Sequence, residues 1–354
     1  MPNFASLPPD PTVADFRFDP PRFQAPAVAD FLSGTYGIDG QLTPLSGERD
    51  QNFRLEAESG VAYVVKISGP RETGAAVDFQ NRALEHIRCA DPGLGVPRVV
   101  PTHAGAPRAA IAEGDGPAHH LRLLTHVPGV PLDSFDAPSE ASLRAVGVLM
   151  GRMDRTLKTM PPPVPREFLP WDVMNGLAVM DGFRDRYLPS TLRDICMPFL
   201  RRFASETLPR LHDLPEQVIH NDLHAGNVLC DPDDPERLTG CIDFGDMVCR
   251  PTVMELSSAL GEFAGIMPDF LAGCRAMLGG YRSEAEFSDT LLPLLYDAAL
   301  ARAVLCAQLA MFRRAHANND PAIETVHLPG AVDAVRAIAA VDRRDFTDAL
   351  AAAT

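Results

Sequence analysis

The sequence predicts an α+β fold in two lobes: an antiparallel sheet with one helix, followed by a mostly helical lobe. Two stretches carry that expectation. Between Asn52 and Ser68, apolar side chains alternate with polar ones on either side of Ser59-Gly60, as in an antiparallel hairpin. From Ser139 onward, apolar residues recur every three to four positions, as in helices that share a core.

Taken in order, residues 1–26 are rich in proline, with Phe4, Phe16, Phe18 and Phe23 irregularly spaced, and read as an extended arm. Ala27 to Tyr36 reads as a short helix with Val28, Phe31 and Leu32 on one face and Gly37 just past its end. The polar turn from Ser46 to Asn52 would sit over phosphates if the hairpin after it roofs a nucleotide, which makes Asn52 a candidate contact. Period-two alternation sets Lys66 on the face of Val64 and Ala62, opposite Val65 and Ile67. That face suits a nucleotide, with Val64 against a base and the Lys66 ammonium on phosphates.

Glu72 to Ala90 reads as a helix, and Arg98 to Thr102 and His119 to Val127 read as strands. The run Val127-Pro128-Gly129-Val130-Pro131 breaks the pattern, so the first lobe is expected over 27–126 and the second over 127–354. Leu124 to Val127 would be the hinge, with the backbone of Thr125, His126 and Val127 facing the base edge. In the second lobe Leu143, Val146, Leu149, Met150, Met153 and Leu157 recur at helical spacing. The longest helix is expected over Thr290 to Arg313, with Leu291, Leu295, Ala298, Leu305, Leu309 and Phe312 on its apolar face.

Composition narrows the function classes. A formal net charge of -15 argues against nucleic acid or an anionic membrane as a partner, and it suits a cationic small-molecule substrate. Seven cysteines without C-x-x-C spacing fit a reduced compartment. The N-terminus has no basic and apolar signal pattern, and no uninterrupted apolar run has transmembrane length; a soluble, cytoplasmic protein is expected.

The chemistry concentrates in Val218-Ile219-His220-Asn221-Asp222-Leu223-His224-Ala225-Gly226-Asn227, followed by Ile242-Asp243-Phe244-Gly245-Asp246. An H-x-D-x-x-x-x-N stretch followed by D-F-G is the spacing that phosphoryl transfer uses for a base and two magnesium ligands. Here Asp222 would be the base, and Asn227 and Asp243 would hold the metal. His220 reads as a brace for the loop backbone, and His224 as either substrate contact or loop support. The alternation His220, Asp222, His224 also fits a transition-metal hydrolase, but that reading leaves Asn227 and Asp243 unexplained.

These two motifs resemble the aminoglycoside phosphotransferase and choline kinase superfamily, and the resemblance covers the chain from about residue 27. It implies a bilobal protein-kinase-like fold. The stretches Gly47 to Phe53, Val64 to Ile67, Gln80 to Leu84, Pro97 to Thr102, Arg122 to Thr125 and Trp171-Asp172 are similar to the hydroxylysine kinase branch. That branch implies transfer of a phosphoryl group from ATP or GTP, with Mg2+, to a hydroxyl of an amine-bearing metabolite of the 5-hydroxylysine type. An aminoglycoside, choline or homoserine kinase is the alternative, as is a degenerate kinase that binds nucleotide without turnover. The resemblance assigns Lys66 to the α- and β-phosphates, and Glu255 to support behind the catalytic loop. Where the superfamily pairs that lysine with a helix carboxylate, this chain has Gln80; either Asp78 or Glu85 substitutes from a neighbouring turn, or this branch manages without. Asp172, Asp246 and Glu48 are the candidate carboxylates for the acceptor ammonium.

Overall fold

The computed structural model describes residues 20–47, 49–162, 169–183, 186–188, 190–316 and 328–352. They form two compact units, one running to Pro128 and the other beginning at Gly129.

The first unit opens with α1 (Ala25–Tyr36), which starts two residues earlier than expected because Pro26 fits its first turn. Gly37, at φ 64°, ends it in the left-handed conformation. The strands β1 (Gly40–Leu45), β2 (Gln51–Ala57) and β3 (Ala62–Ile67) follow, then α2 (Gly74–Ala90), capped by the Thr73 hydroxyl. Next come β4 (Val99–Val100), β5 (Ala109–Ile111) and β6 (His119–Thr125). All pairings are antiparallel, in the order β1-β2-β3-β6-β4, with β5 also on β6.

Alternation assigns the two faces of this sheet. Phe53, Leu55, Val65, Ile67, Leu121 and Leu123 bury one face against Val28 and Leu32 of α1. Lys66 lies on the other face, and its cross-strand partners are Asn52 and Arg122. Residues 1–19 of the expected arm lie outside the described residues. Phe23 is described, and it is buried. The Gln51 carboxamide clamps it, accepting from its N–H and donating to its carbonyl, both at 2.8 Å. Neither β1 nor β5 was expected. β1 is an edge strand with Pro44 inside it and little buried surface, so it carries no apolar alternation, and β5 is three residues long.

The second unit has β7 (Val130–Pro131), then α3 (Glu140–Leu157), α4 (Val173–Phe183), α5 (Arg193–Arg202) and α6 (Leu208–His212). Four strands follow: β8 (Gln217–Ile219), β9 (Val228–Asp231), β10 (Asp234–Cys241) and β11 (Val248–Arg250). The unit ends with α7 (Val253–Phe263), α8 (Phe270–Arg282), α9 (Leu292–His316), α10 (Leu328–Ala339) and α11 (Arg343–Ala351). β9 and β10 form an antiparallel hairpin across the acidic turn at 231–234. The strand leading into His220 pairs elsewhere, with β11, so two small sheets frame the loop between β8 and β9.

The helix α9 is the longest described. The segment Asp289–Ala315 is apolar and long enough to span a membrane by composition, but 78% of its apolar window is buried inside the protein, as in a core helix. Polar Asp297, Arg302 and Gln308 interrupt its apolar run and are themselves buried. Elsewhere α3 and α8 cross at backbone contact. A Cβ added at Gly147 would overlap the Met277 carbonyl, and one at Gly280 would overlap the Arg144 carbonyl. Gly147→Ala is therefore expected to force the two helices apart and to cost about 1–3 kcal/mol, read as a lower midpoint in denaturant unfolding.

Candidate active site

The loop after β8 and the turn after β10 are each built on one unusual residue. Asn221 sits at φ 67° and Asp243 at φ 61°, the only described non-glycine residues in the left-handed region. Such a conformation costs about 1–3 kcal/mol and persists only where surrounding contacts hold it. For Asn221 the contacts are plain. Its N–H donates to Glu255 Oε2 at 2.8 Å, and its Nδ2 donates to the Asp246 carbonyl at 3.2 Å. Glu255 reaches it from α7 and is fully buried.

His220, also fully buried, ties the loop to the segment after β10 that carries Asp243. Its Nε2 lies 3.1 Å from the Ile242 carbonyl, its Nδ1 accepts the Asp222 N–H at 3.3 Å, and its ring meets Phe244 edge-on. With both nitrogens so engaged, it presents no lone pair to a metal, and no cluster of three metal-ligating side chains occurs among the described residues.

Asp222 and Asn227 form the centre. The Asn227 Nδ2 donates to the Asp222 carbonyl at 2.9 Å and to Asp222 Oδ2 at 3.0 Å, which turns the Asn227 amide oxygen away from the carboxylate. The Asn227 carbonyl accepts the Ile242 N–H at 2.9 Å, so the loop and the D-F-G turn are stitched side by side. Asp243 Oδ1 accepts the Gly245 N–H at 3.3 Å and caps the short 3-10 turn Phe244–Asp246.

Two residues that sequence reasoning missed complete this centre. Arg302, on α9, has a side chain 2% exposed and donates from Nη2 to Asp222 Oδ1 at 2.8 Å. Its Nε donates to Glu262 Oε1 at 3.0 Å, and its Nη1 to the Trp171 carbonyl at 2.8 Å. A signal was present. Residues 291, 295, 298, 305, 309 and 312 make an apolar stripe, and 302 is the position that completes it. A charge on such a stripe needs a partner in the core. Glu255 and Glu262 are likewise seven residues apart on α7, hence on one face.

The proposed acceptor carboxylates fare differently. Asp172 is buried and engaged: it accepts from Arg250 at 2.6 Å, from Asn175 at 2.9 Å and from the Met174 N–H at 3.1 Å. It caps α4 and holds Arg250. Asp246 is buried beside the loop, and its Oδ2 accepts from the Trp171 indole at 2.7 Å. His224 is partly exposed; its Nδ1 accepts the Gly226 N–H at 3.1 Å, and its Nε2 lies 3.8 Å from Asp222 Oδ2. Glu48 lies outside the described residues.

In the first unit, Lys66 pairs with Asp50 at 3.2 Å, and Asp50 also accepts the Gly69 N–H at 3.0 Å. The expected substitutes are committed elsewhere, Asp78 to Arg108 and Glu85 to Arg88. Gln80 does not take the lysine role either. Its carboxamide accepts from Arg122, the cross-strand neighbour of Lys66, and donates to Glu72 at 2.9 Å. Asn52 donates to the Ser46 carbonyl at 3.1 Å, holding the turn before β2. Val64 pairs across strands with Leu124. At the end of β6, Thr125 exchanges bonds with the Arg98 backbone, and the His126 N–H donates to the Ala62 carbonyl at 3.2 Å. The His126 ring lies 2.9 Å from Arg54, and Val127 is buried.

A family model, that of the phosphotransferase enzyme family, matches residues 41–288. The chain belongs to this family. It is a small-molecule phosphotransferase, a kinase whose acceptor is a hydroxyl. It is 27% identical over 260 residues to hydroxylysine kinase from Mus musculus, across 67% of this chain and 68% of that protein. Among solved structures, it is similar to a microcompartment-associated aminopropanol kinase (TM-score 0.67, 17% identity, 92% of this chain and 99% of that one). It is also similar to an amicoumacin kinase in complex with AMP-PNP, Ca2+ and Ami (TM-score 0.65, 20% identity, 92% and 94%). The fold is kinase-like, as the two motifs implied.

Burial dominates the electrostatics of this phosphotransferase. It pushes Asp222 up to about 7, with His224 and Arg302 working against the rise. It pushes the His220 imidazole down to about 4, so the ring is neutral, as its two bonds require. Burial also works against the Glu262 charge, but Arg302, His224 and Cys306 outweigh it and keep that carboxyl below the usual range.

Glu255 is pushed up to about 7 by burial, against the N–H of Asn221 that favours its charge. Its ordinary value is about 4.3. The folded state therefore keeps a proton that the unfolded chain releases between those values, and this stabilising term is lost as pH rises through about 7. Glu255→Gln has no such titration. Its stability relative to the parent is expected to improve as pH rises from about 4 to 7, followed by denaturant unfolding across that range.

Proposed function

We infer that this kinase transfers the γ-phosphoryl group of ATP or GTP, with Mg2+, to a hydroxyl of an amine-bearing metabolite of the 5-hydroxylysine type. The observation that carries it is the Asp222 carboxylate, partly buried and held at both oxygens by Arg302 and Asn227. Such a group is oriented to accept a proton, and its raised value near 7 matches a base working at neutral pH. The acceptor oxygen forms a bond to the γ-phosphorus as its bond to hydrogen breaks and the proton passes to Asp222. The γ-phosphorus bond to the bridging oxygen breaks, and the nucleoside diphosphate leaves.

Asn227 and Asp243 offer an amide oxygen and a carboxylate, hard donors of the type magnesium takes. When bound, the ion supplies neutralisation of phosphate charge. Lys66, aimed by Asp50, is the residue for the α- and β-phosphates, and the hinge at Thr125 to Val127 is the segment for the base. The acceptor class rests on the 27% identity to hydroxylysine kinase and on the net charge of -15, which favours a cationic molecule. Because Lys66 keeps a carboxylate partner, the loss of the helix carboxylate at Gln80 gives little support to a binding protein without turnover.

The test is nucleoside diphosphate release with Mg2+ and ATP or GTP across a panel of hydroxylated amines and amino acids. Stimulation by 5-hydroxylysine, with turnover lowered about 10²–10⁴-fold in Asp222→Asn, is the expected result. Stimulation by another panel member would keep the kinase and replace the acceptor. Separately, Asp50→Asn is expected to raise the nucleotide KM about tenfold, with kcat changed less, since it removes a charge-assisted partner of Lys66.

A further inference from the structure

Arg302 lies outside both motifs, yet it is the side chain that reaches Asp222 Oδ1 from the helical core. Its guanidinium is fixed on three sides: Asp222 at 2.8 Å, Glu262 at 3.0 Å and the Trp171 carbonyl at 2.8 Å. Those partners come from three different parts of the chain, because Asp222 is on the loop after β8, Glu262 on α7 and Trp171 just before α4, and Arg302 reaches all three from α9. A planar fork held at three points cannot rotate without breaking a buried charge-assisted bond.

Asn227 approaches the other carboxylate oxygen at 3.0 Å. The two donors together leave the carboxylate plane no free rotation. Glu262 has a second contact of its own, a 2.9 Å bond from the Cys306 thiol, one turn along α9 from Arg302. The Glu262 carboxylate is thus tied to α9 twice, and it sets the direction of the guanidinium.

We propose that Arg302 is the positioning residue of the base: aimed by Glu262, it sets the plane of the Asp222 carboxylate so that the acceptor hydroxyl meets an aligned lone pair. This rests on the reading of Asp222 as the base. A base set in this way affects the chemical step rather than nucleotide binding. A misplacement of about 1 Å at a reacting group can cost about 10²-fold in rate.

The test is a double-mutant cycle between Arg302→Gln and Asp222→Asn, read in single-turnover phosphoryl transfer and in nucleotide Kd by direct titration. Arg302→Gln is expected to lower the transfer rate about 10²-fold and to leave nucleotide Kd within about twofold, while Arg302→Lys recovers part of the rate. In the Asp222→Asn background, the same change is expected to cost less than about threefold, because the group it positions is already gone. An equal loss in both backgrounds, or a loss confined to nucleotide Kd, overturns the proposal while leaving Asp222 as the base. Near-normal transfer in Asp222→Asn alone overturns the base reading, and this proposal with it. If Arg302→Gln does not fold, the cycle is run with Glu262→Gln as parent and Arg302→Gln/Glu262→Gln as variant. That pair leaves no lone buried charge at Glu262, and the same outcomes decide.

Discussion

The bond from the Asn221 N–H to the buried Glu255 carboxylate is the constraint on which the loop between β8 and β9 depends. A left-handed asparagine between two strands is unfavourable alone, and α7 supplies the acceptor that makes it stable. Once Asn221 turns, Asp222 faces the helical core instead of continuing the strand. His220 then fastens the same turn to the Ile242 carbonyl, and Asn227 fastens it from the far side. A carboxylate, an imidazole and an amide thus do by hydrogen bonding what a longer strand could not do by pairing.

The centre is also a balance of charge. Asp222, Glu255 and Glu262 bring three carboxyl groups close together, Glu255 fully buried and the other two partly, with Arg302 as the buried cation that faces Asp222 and Glu262. Burying carboxylates unpaired is costly, and the arginine offsets that cost for two of them. The first unit solves its own version of the problem. Lys66 and Arg122 are cross-strand neighbours on one face, and each takes a different partner, Asp50 for one and Gln80 for the other.

Much of this was legible from spacing. The parity of Lys66 against Val65 and Ile67 follows from the two-residue repeat alone, and H-x-D-x-x-x-x-N with D-F-G singled out the two turns that the fold stitches side by side. What was not legible depends on which elements meet. Asp50 reads as a turn residue until the turn is folded over β3, and Gln80 reads as a missing acid until Arg122 is seen opposite it. Asp172 looked available because it is acidic and near the only tryptophan; Arg250, far along the chain, takes it up. Arg302 was hidden for a simpler reason. A stripe search scores apolar residues and passes over the one position where the stripe is deliberately broken.

The helix α9 has one more property. Asp297 and Arg302 are five residues apart, about 140° around the helix. Asp297 is held by Arg202 at 2.8 Å, by Thr207 at 2.6 Å and by Arg343 at 2.9 Å, while Arg302 is held at Asp222. The helix is pinned on two sides, like a key with teeth cut on different edges. A single inserted or deleted residue between them would turn one tooth by about 100° relative to the other, so both could not seat together. The spacing of five is therefore a phase condition: it couples the packing of the C-terminal helix, through Arg343, to the orientation of a carboxylate far along the chain.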